Sequence, residues 1–285
     1  MLPNPILEFA IGSNVEIKVH MYGVMIALGL LCTFIVLFTY GKKIGLKESF
    51  IDFIYYNAIA SIALGFVSAA AFQGLYNYIE DPSKGFNLNG GITFIGGLIG
   101  GVATFLLIYF IVRKKLSGRV FDMVSLAPPC ILIAHAFGRV GCFFAGCCYG
   151  LPTDSFLGVQ FPGMTHKVHP TMLYEAAFLF ILFGVCSYLL LKKNFRHNMS
   201  LYLVTYGIFR FAIEFVRDDS RGELVAGISP SQFWSILMVG IGVGIYFYME
   251  YLIKKNTPAA EEIPEEEATA EEQVEEVEEV EANEE

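Results

Sequence analysis

The sequence predicts an all-α protein that crosses a membrane about seven times, and three observations carry that prediction. Of its 285 residues, 55% are hydrophobic and 16% charged, which excludes an ordinary soluble domain. The apolar residues fall into seven runs, each near the roughly 20 residues needed to cross hydrocarbon. Lysine and arginine gather in alternate loops between those runs.

The expected spans are Tyr22–Tyr40, Ile51–Gln73, Gly91–Val112, Val120–Phe137, Thr171–Leu191, Ser200–Val216 and Ser231–Ile253. Pro128 and Pro129 interrupt the fourth and predict a kink there. No basic segment or small-residue cleavage site precedes Met21, so the first span is expected to direct insertion itself. Lys42, Lys43 and Lys47 follow the first span. Arg113, Lys114, Lys115 and Arg119 follow the third, Lys192, Lys193 and Arg196 the fifth, and Lys254 and Lys255 the seventh. The positive-inside rule then places the N-terminus outside and the C-terminus in the cytoplasm. The loops Asp81–Gly91, His135–Pro170 and Arg217–Pro230 consequently gather on the outer side.

Two domains are expected. Residues 1–256 form the membrane-embedded body. Residues 257–285 hold 14 Glu and no Lys or Arg, while the rest carries 14 acidic against 19 basic residues. The net charge of −9 is therefore a property of the tail, which reads as a disordered, self-repelling, solvated segment.

The stretch HAFGRVGCFFAGCCYG, residues 135–150, is polar and reactive between apolar runs. An arginine near hydrocarbon is costly unless paired, so Arg139 is a functional candidate. Gly138, Gly141, Gly146 and Gly150 predict tight turns and close backbone approach, as in the wall of a site. Cys32, Cys130 and Cys186 read as small core residues. Cys142, Cys147 and Cys148 stand apart, but a C-x4-C-C spacing is unlike the usual zinc patterns, and no metal is expected on that ground. An outward location permits a disulfide among them.

Four other segments could carry chemistry. Tyr22, in His20-Met21-Tyr22-Gly23, suits either a headgroup anchor or a ligand contact. The glycines around Ile95 suit helix packing as well as ligand approach. In His169-Pro170-Thr171-Met172-Leu173-Tyr174-Glu175, proline is ordinary helix-start punctuation and Glu175 suits the helix dipole, so Tyr174 and Glu175 read as structural. His169 can titrate near neutral pH. In the sixth span Tyr206, Arg210 and Glu214 share one face at four-residue intervals. Arg210 lies roughly 9 Å below the outer end of that span. An Arg210–Glu214 pair explains part of this. Two arginines in one leaflet, Arg139 and Arg210, also suit a phosphate, which guanidinium binds bidentately, and a phospholipid offers one at that depth.

Gly138-Arg139-Val140-Gly141-Cys142-Phe143-Phe144-Ala145-Gly146 resembles the GRxGNFxNG signature of the prolipoprotein diacylglyceryl transferases of bacterial inner membranes. Met21-Tyr22-Gly23, Gly96-Gly97-Leu98, His169-Pro170, Leu173-Tyr174-Glu175, Tyr206 to Arg210, Glu214-Phe215 and Arg217 support it over most of residues 18–250. The resemblance implies transfer of the diacylglyceryl group from phosphatidylglycerol to the lipobox cysteine of a preprolipoprotein, with glycerol phosphate leaving. By similarity Arg139 and Arg210 hold the phosphate and stabilise the leaving group, and Tyr22 and Tyr206 position the head group. Gly141, Cys142, Gly146 and Glu214 complete the substrate-binding set. The implied partners are phosphatidylglycerol, the lipobox peptide and membrane lipids, with no nucleic acid, no metal and no organic cofactor.

Three departures from the family matter most. Ile95 replaces a histidine often treated as catalytic, Cys142 replaces the signature asparagine, and Cys147 replaces a glutamate. Isoleucine accepts no proton, so His135 or His169 is expected to act as general base. Two other readings stay open: a transferase of a different lipid group or acceptor, and a non-catalytic lipid- or lipoprotein-binding membrane protein with a redox or metal-binding cysteine cluster.

Overall fold

The computed structural model describes residues 4–11, 15–88, 91, 93–116, 118, 124–218 and 228–256. The acidic tail, Gly90, Ile92, Arg119 and Val120 lie outside them. The chain divides at Val243–Gly244 into two units, and the site geometry below belongs wholly to the first.

The protein is mostly helical, and among the described residues seven helices are long and apolar enough to cross a membrane. They are α1 (Met21–Lys43), α2 (Glu48–Glu80), α3 (Phe94–Val112), α4 (Ala127–Ala145), α5 (Thr171–Lys193), α6 (Asn198–Ile213) and α7 (Pro230–Asn256). It is a multi-pass membrane protein. Leu31, Phe66, Leu107 and Ile181 are exposed on helix sides, as apolar residues are where the solvent is hydrocarbon rather than water.

The all-α expectation holds for the spans but misses a hairpin before them. β1 (Leu7–Ile11) pairs antiparallel with β2 (Val15–Val19), Leu7 opposite Val19 and Ile11 opposite Val15. The residues 15–19, VEIKV, alternate apolar and charged with period two, which favours a strand. That stretch is too short to register in a search for spans.

The fourth span is the main correction. Pro128 and Pro129 do not kink it; they occupy its first turn, where a missing N–H costs nothing and the fixed φ suits a helix. The helix then runs through the GRVG segment to Ala145. His135, Arg139 and Cys142 are thus helical and share one face, and only Gly146–Gly150 turns.

Close approach of α1 to α4 depends on glycine. A Cβ on Gly141 would stand 3.1 Å from Tyr22 Cδ2 and 3.3 Å from Met25 Cβ, and one on Gly29 would stand 3.0 Å from Phe137 Cβ. α4, α5 and α6 are the most enclosed spans. Leu132, Ala136, Leu179, Leu182, Cys186, Tyr202 and Tyr206 form their shared apolar core. Residues 146–170 fold over the end of α4 around Phe161, Val168 and Met172, with bridges Pro152 to Val168, Val159 to Val168 and Gly150 to Arg217.

Candidate functional site

The site is organised by a residue the sequence reading took as structural. Glu175, on the second turn of α5, is fully buried. Its Oε1 accepts a 2.6 Å hydrogen bond from Tyr206 Oη on α6. Its Oε2 stands 3.1 Å from Arg139 Nε on α4, and His135 Nε2 lies 3.7 Å from Oε1. A carboxylate buried among apolar helices is strongly disfavoured unless paired, and here one carboxylate draws partners from both neighbouring helices.

Arg139 is held at its neck rather than at its fork. The Nε–H is directed to His135 Nε2 at 3.3 Å, one helical turn back on α4. The two terminal amino groups have no hydrogen-bond partner among the described residues, and the side chain is 20% exposed. A guanidinium carries five N–H donors in a planar fork. Four of them remain for a ligand. Since His135 accepts at Nε2, its neutral form carries the proton on Nδ1. Its ring stacks edge-on against Tyr206, centroids 5.2 Å apart.

Arg210 is one turn beyond Tyr206 on α6 and is buried. Its Nη1 donates to Glu214 Oε2 at 2.7 Å and its Nη2 to Ser231 Oγ on α7 at 2.9 Å. Ser229 Oγ donates to Glu214 Oε1 at 2.9 Å, and Arg217 Nε lies 3.9 Å from Glu214 Oε2. The expected pairing of Arg210 with Glu214 is therefore present, with a serine at each end. Both arginines act electrostatically on His135.

Tyr22 begins α1, packs on Gly141 and is 44% exposed. His169 goes elsewhere: its Nδ1 is 3.2 Å from Tyr174 Oη. Gly146 has φ +71° and caps α4. Ile95 opens α3, which packs on α2.

The three unusual cysteines come together. All three Sγ atoms lie within 4.8 Å of one another, and all are free thiols. Contact with the Cys142 and Cys147 thiols holds the Cys148 thiol below the ordinary thiol range, aided by the Arg217 and Arg139 charges. Cys147, bonded to both neighbours, is pushed above it. The sequence spacing, unpromising on paper, conceals this proximity.

Glu175, Ser229 and Ser231 were not among the expected site residues. A glutamate inside an apolar run was the available signal, outweighed by its place near a helix start. The serines carry no signal of their own.

Arg139 and Tyr206 meeting at a buried Glu175, with Arg210 paired to Glu214 one turn beyond Tyr206, place a polar, ionisable centre among helices long and apolar enough to cross a membrane, as an integral membrane enzyme requires. The comparisons agree and are more specific. The family model for prolipoprotein diacylglyceryl transferase matches residues 9–248, and the chain belongs to that family. A phosphatidylglycerol–prolipoprotein diacylglyceryl transferase of Clostridium tetani is 36% identical over 240 residues, covering 81% of this chain and 93% of the relative. A protein of the same name from Clostridioides difficile is 33% identical, covering 84% and 93%. The second such transferase of Clostridium perfringens is 30% identical, covering 84% and 94%.

Proposed function

We propose that this chain transfers the diacylglyceryl group of phosphatidylglycerol to the lipobox cysteine of preprolipoproteins at the outer face of the bacterial inner membrane. The observation that carries this reading is Arg139, fixed through Nε by Glu175 and His135 while its terminal fork is open. A group held in that way is preorganised for phosphate.

In this reading Arg139 and Arg210 take the phosphate oxygens of the lipid. Thiolate attack on the glyceryl carbon then breaks the bond to phosphate, and the arginines stabilise charge on the departing glycerol phosphate. Glu175 and Tyr206 are positioning residues for Arg139. Tyr22 flanks the site from α1, with Gly141, Cys142, Gly146 and Glu214 in the surrounding binding surface. Of the two histidines expected as general base, His135 has its Nε2 lone pair engaged by Arg139 and serves to position it, and His169 is engaged with Tyr174. The alternate basic loops support an outside N-terminus and hence an outward site.

The test is purified protein with phosphatidylglycerol and a lipobox peptide, following glycerol phosphate and peptide mass. Release matched by a diacylglyceryl mass gain is expected. Lipid binding without release would overturn the reading in favour of a lipid-binding member of the family.

A further inference from the structure

Activation of the acceptor thiol is the step the site above serves least well. Ile95 offers no lone pair, and the Nε2 lone pair of His135 already accepts from Arg139. Beside these residues lies a donor set with no role so far, the three thiols at the end of α4.

Their proximity is built by the backbone. Residues five apart on a continuing helix point in well-separated directions, but α4 does not continue. Gly146 closes a Schellman turn, with Cys147 N donating to Cys142 O at 3.2 Å and Gly146 N to Phe143 O at 3.2 Å. Cys147 is thereby folded back over the last turn, its Sγ 3.6 Å from the Cys142 carbonyl. Cys148 then adopts φ +65°, a left-handed conformation that strains a non-glycine residue and recurs at functional sites. Its carbonyl is fixed by Thr171 Oγ1 at 2.7 Å. The Cys147 and Cys148 sulfurs end 3.6 Å apart. With zinc–sulfur bonds of about 2.3 Å, the sulfur–sulfur edge of a tetrahedron is about 3.8 Å. The Cys147–Cys148 pair is already near that spacing, and no pair of the three sulfurs is more than 4.8 Å apart. Cys147 is exposed, so a fourth position is reachable. Cys142 lies three residues along α4 from Arg139, on the same face.

We propose that Cys142, Cys147 and Cys148 bind one zinc ion whose fourth position takes the acceptor thiol of the protein substrate. The proposal rests on the transfer reading above and names how that reaction obtains its nucleophile. Three protein ligands with one open position is the catalytic pattern for zinc, and a thiol that coordinates zinc is deprotonated outright. The acceptor S–H gives its proton to water on binding. The sulfur lone pair forms the new bond to the glyceryl carbon while the bond from that carbon to phosphate oxygen breaks. The bonding electrons leave with glycerol phosphate, whose added charge falls on Arg139 and Arg210. The thioether product is neutral, binds zinc weakly and departs.

The experiment uses the full chain in lipid nanodiscs. Elemental analysis after zinc loading and washing is expected to give about one zinc per chain, lost in Cys142→Ser, Cys147→Ser and Cys148→Ser. Cobalt in place of zinc should show thiolate-to-metal charge transfer, and a lipobox peptide should shift its visible bands. A peptide with serine in place of the cysteine should leave them unmoved. Chelation should lower transfer about 10²-fold, the usual size of lost proton-transfer help, and zinc should restore it. Failure of the wild-type chain to retain zinc or cobalt would overturn the proposal, and needs no variant to fold. So would cobalt bands that ignore the peptide, or full transfer by the metal-free chain. The spectral readout needs no turnover: a peptide-dependent spectrum without glycerol phosphate release supports the site and counts against the transfer reading, whereas release by metal-free protein does the reverse.

Discussion

The α2–α3 pair and the α4–α5–α6 group are both close helix contacts, but different chemistry holds them. Between α2 and α3 the contact rests on small residues. A Cβ on Gly65 would stand 3.1 Å from the Gly97 carbonyl, and one on Gly97 would stand 3.3 Å from Ala69 Cβ. Its polar bonds are neutral: Ser68 Oγ to Gly96 O at 2.9 Å, Asn57 Nδ2 to Phe105 O at 3.0 Å and Thr93 Oγ1 to Gln73 Oε1 at 2.6 Å. This is packing by close backbone approach, as membrane helices use where the hydrophobic effect offers little. The α4–α5–α6 contact instead encloses a carboxylate, a guanidinium and an imidazole around Glu175. Ionisable groups in a membrane interior are expensive and are retained for function. Ile95, where the resemblance implies a histidine, belongs to the α2–α3 arm and adds only apolar surface there.

Substitutions sharpen that contrast, beginning with the largest effect. Arg139→Lys and Arg210→Lys keep the charge and lose the fork. Each should lower the transfer rate by about 10²–10³-fold, the size of one lost transition-state donor, measured by glycerol phosphate release; wild-type rates would remove the phosphate clamp. Glu175→Gln keeps the shape and the Tyr206 bond but removes the charge facing Arg139. Leaving one member of a buried pair unmatched costs about 3–5 kcal/mol, which should appear as a lower unfolding midpoint in detergent together with a rate loss. Tyr206→Phe removes one hydrogen bond to a charged group, worth about 1.5–3 kcal/mol, and is expected to slow transfer about tenfold or more.

The arm should respond the other way. Gly65→Val would press on the Gly97 backbone, and overpacking of this kind costs about 1–3 kcal/mol. Thermal stability should fall while the rate per folded molecule stays near wild type. Ile95→His is the smallest expected change, about twofold or less in rate, in line with partly exposed positions generally.

Much of the fold was legible because lipid demands long apolar helices, and runs of that length are visible in the residues themselves. The start of α4 was not, because the apolar run extends N-terminal to Pro128 and periodicity does not say whether a proline kinks a helix or opens one. Gly138 and Gly141 were misread as turn formers for the same reason. Gly141 lies within the helix and admits Tyr22. The Arg210–Glu214 pair followed from four-residue spacing alone. Glu175 did not, since its partners come from two other helices and only tertiary packing shows them. The cysteine triad was hidden by the left-handed residues at positions 146 and 148, which fold a poor spacing into a close one.

The most direct test sets Glu175→Gln beside Ile95→His in a single-turnover assay with phosphatidylglycerol and a lipobox peptide. Chemistry centred on α4, α5 and α6 predicts a rate about 10²-fold lower for the first and near wild type for the second. A wild-type rate for Glu175→Gln, with a large gain for Ile95→His, would contradict it and return the reaction's centre to the α2–α3 arm.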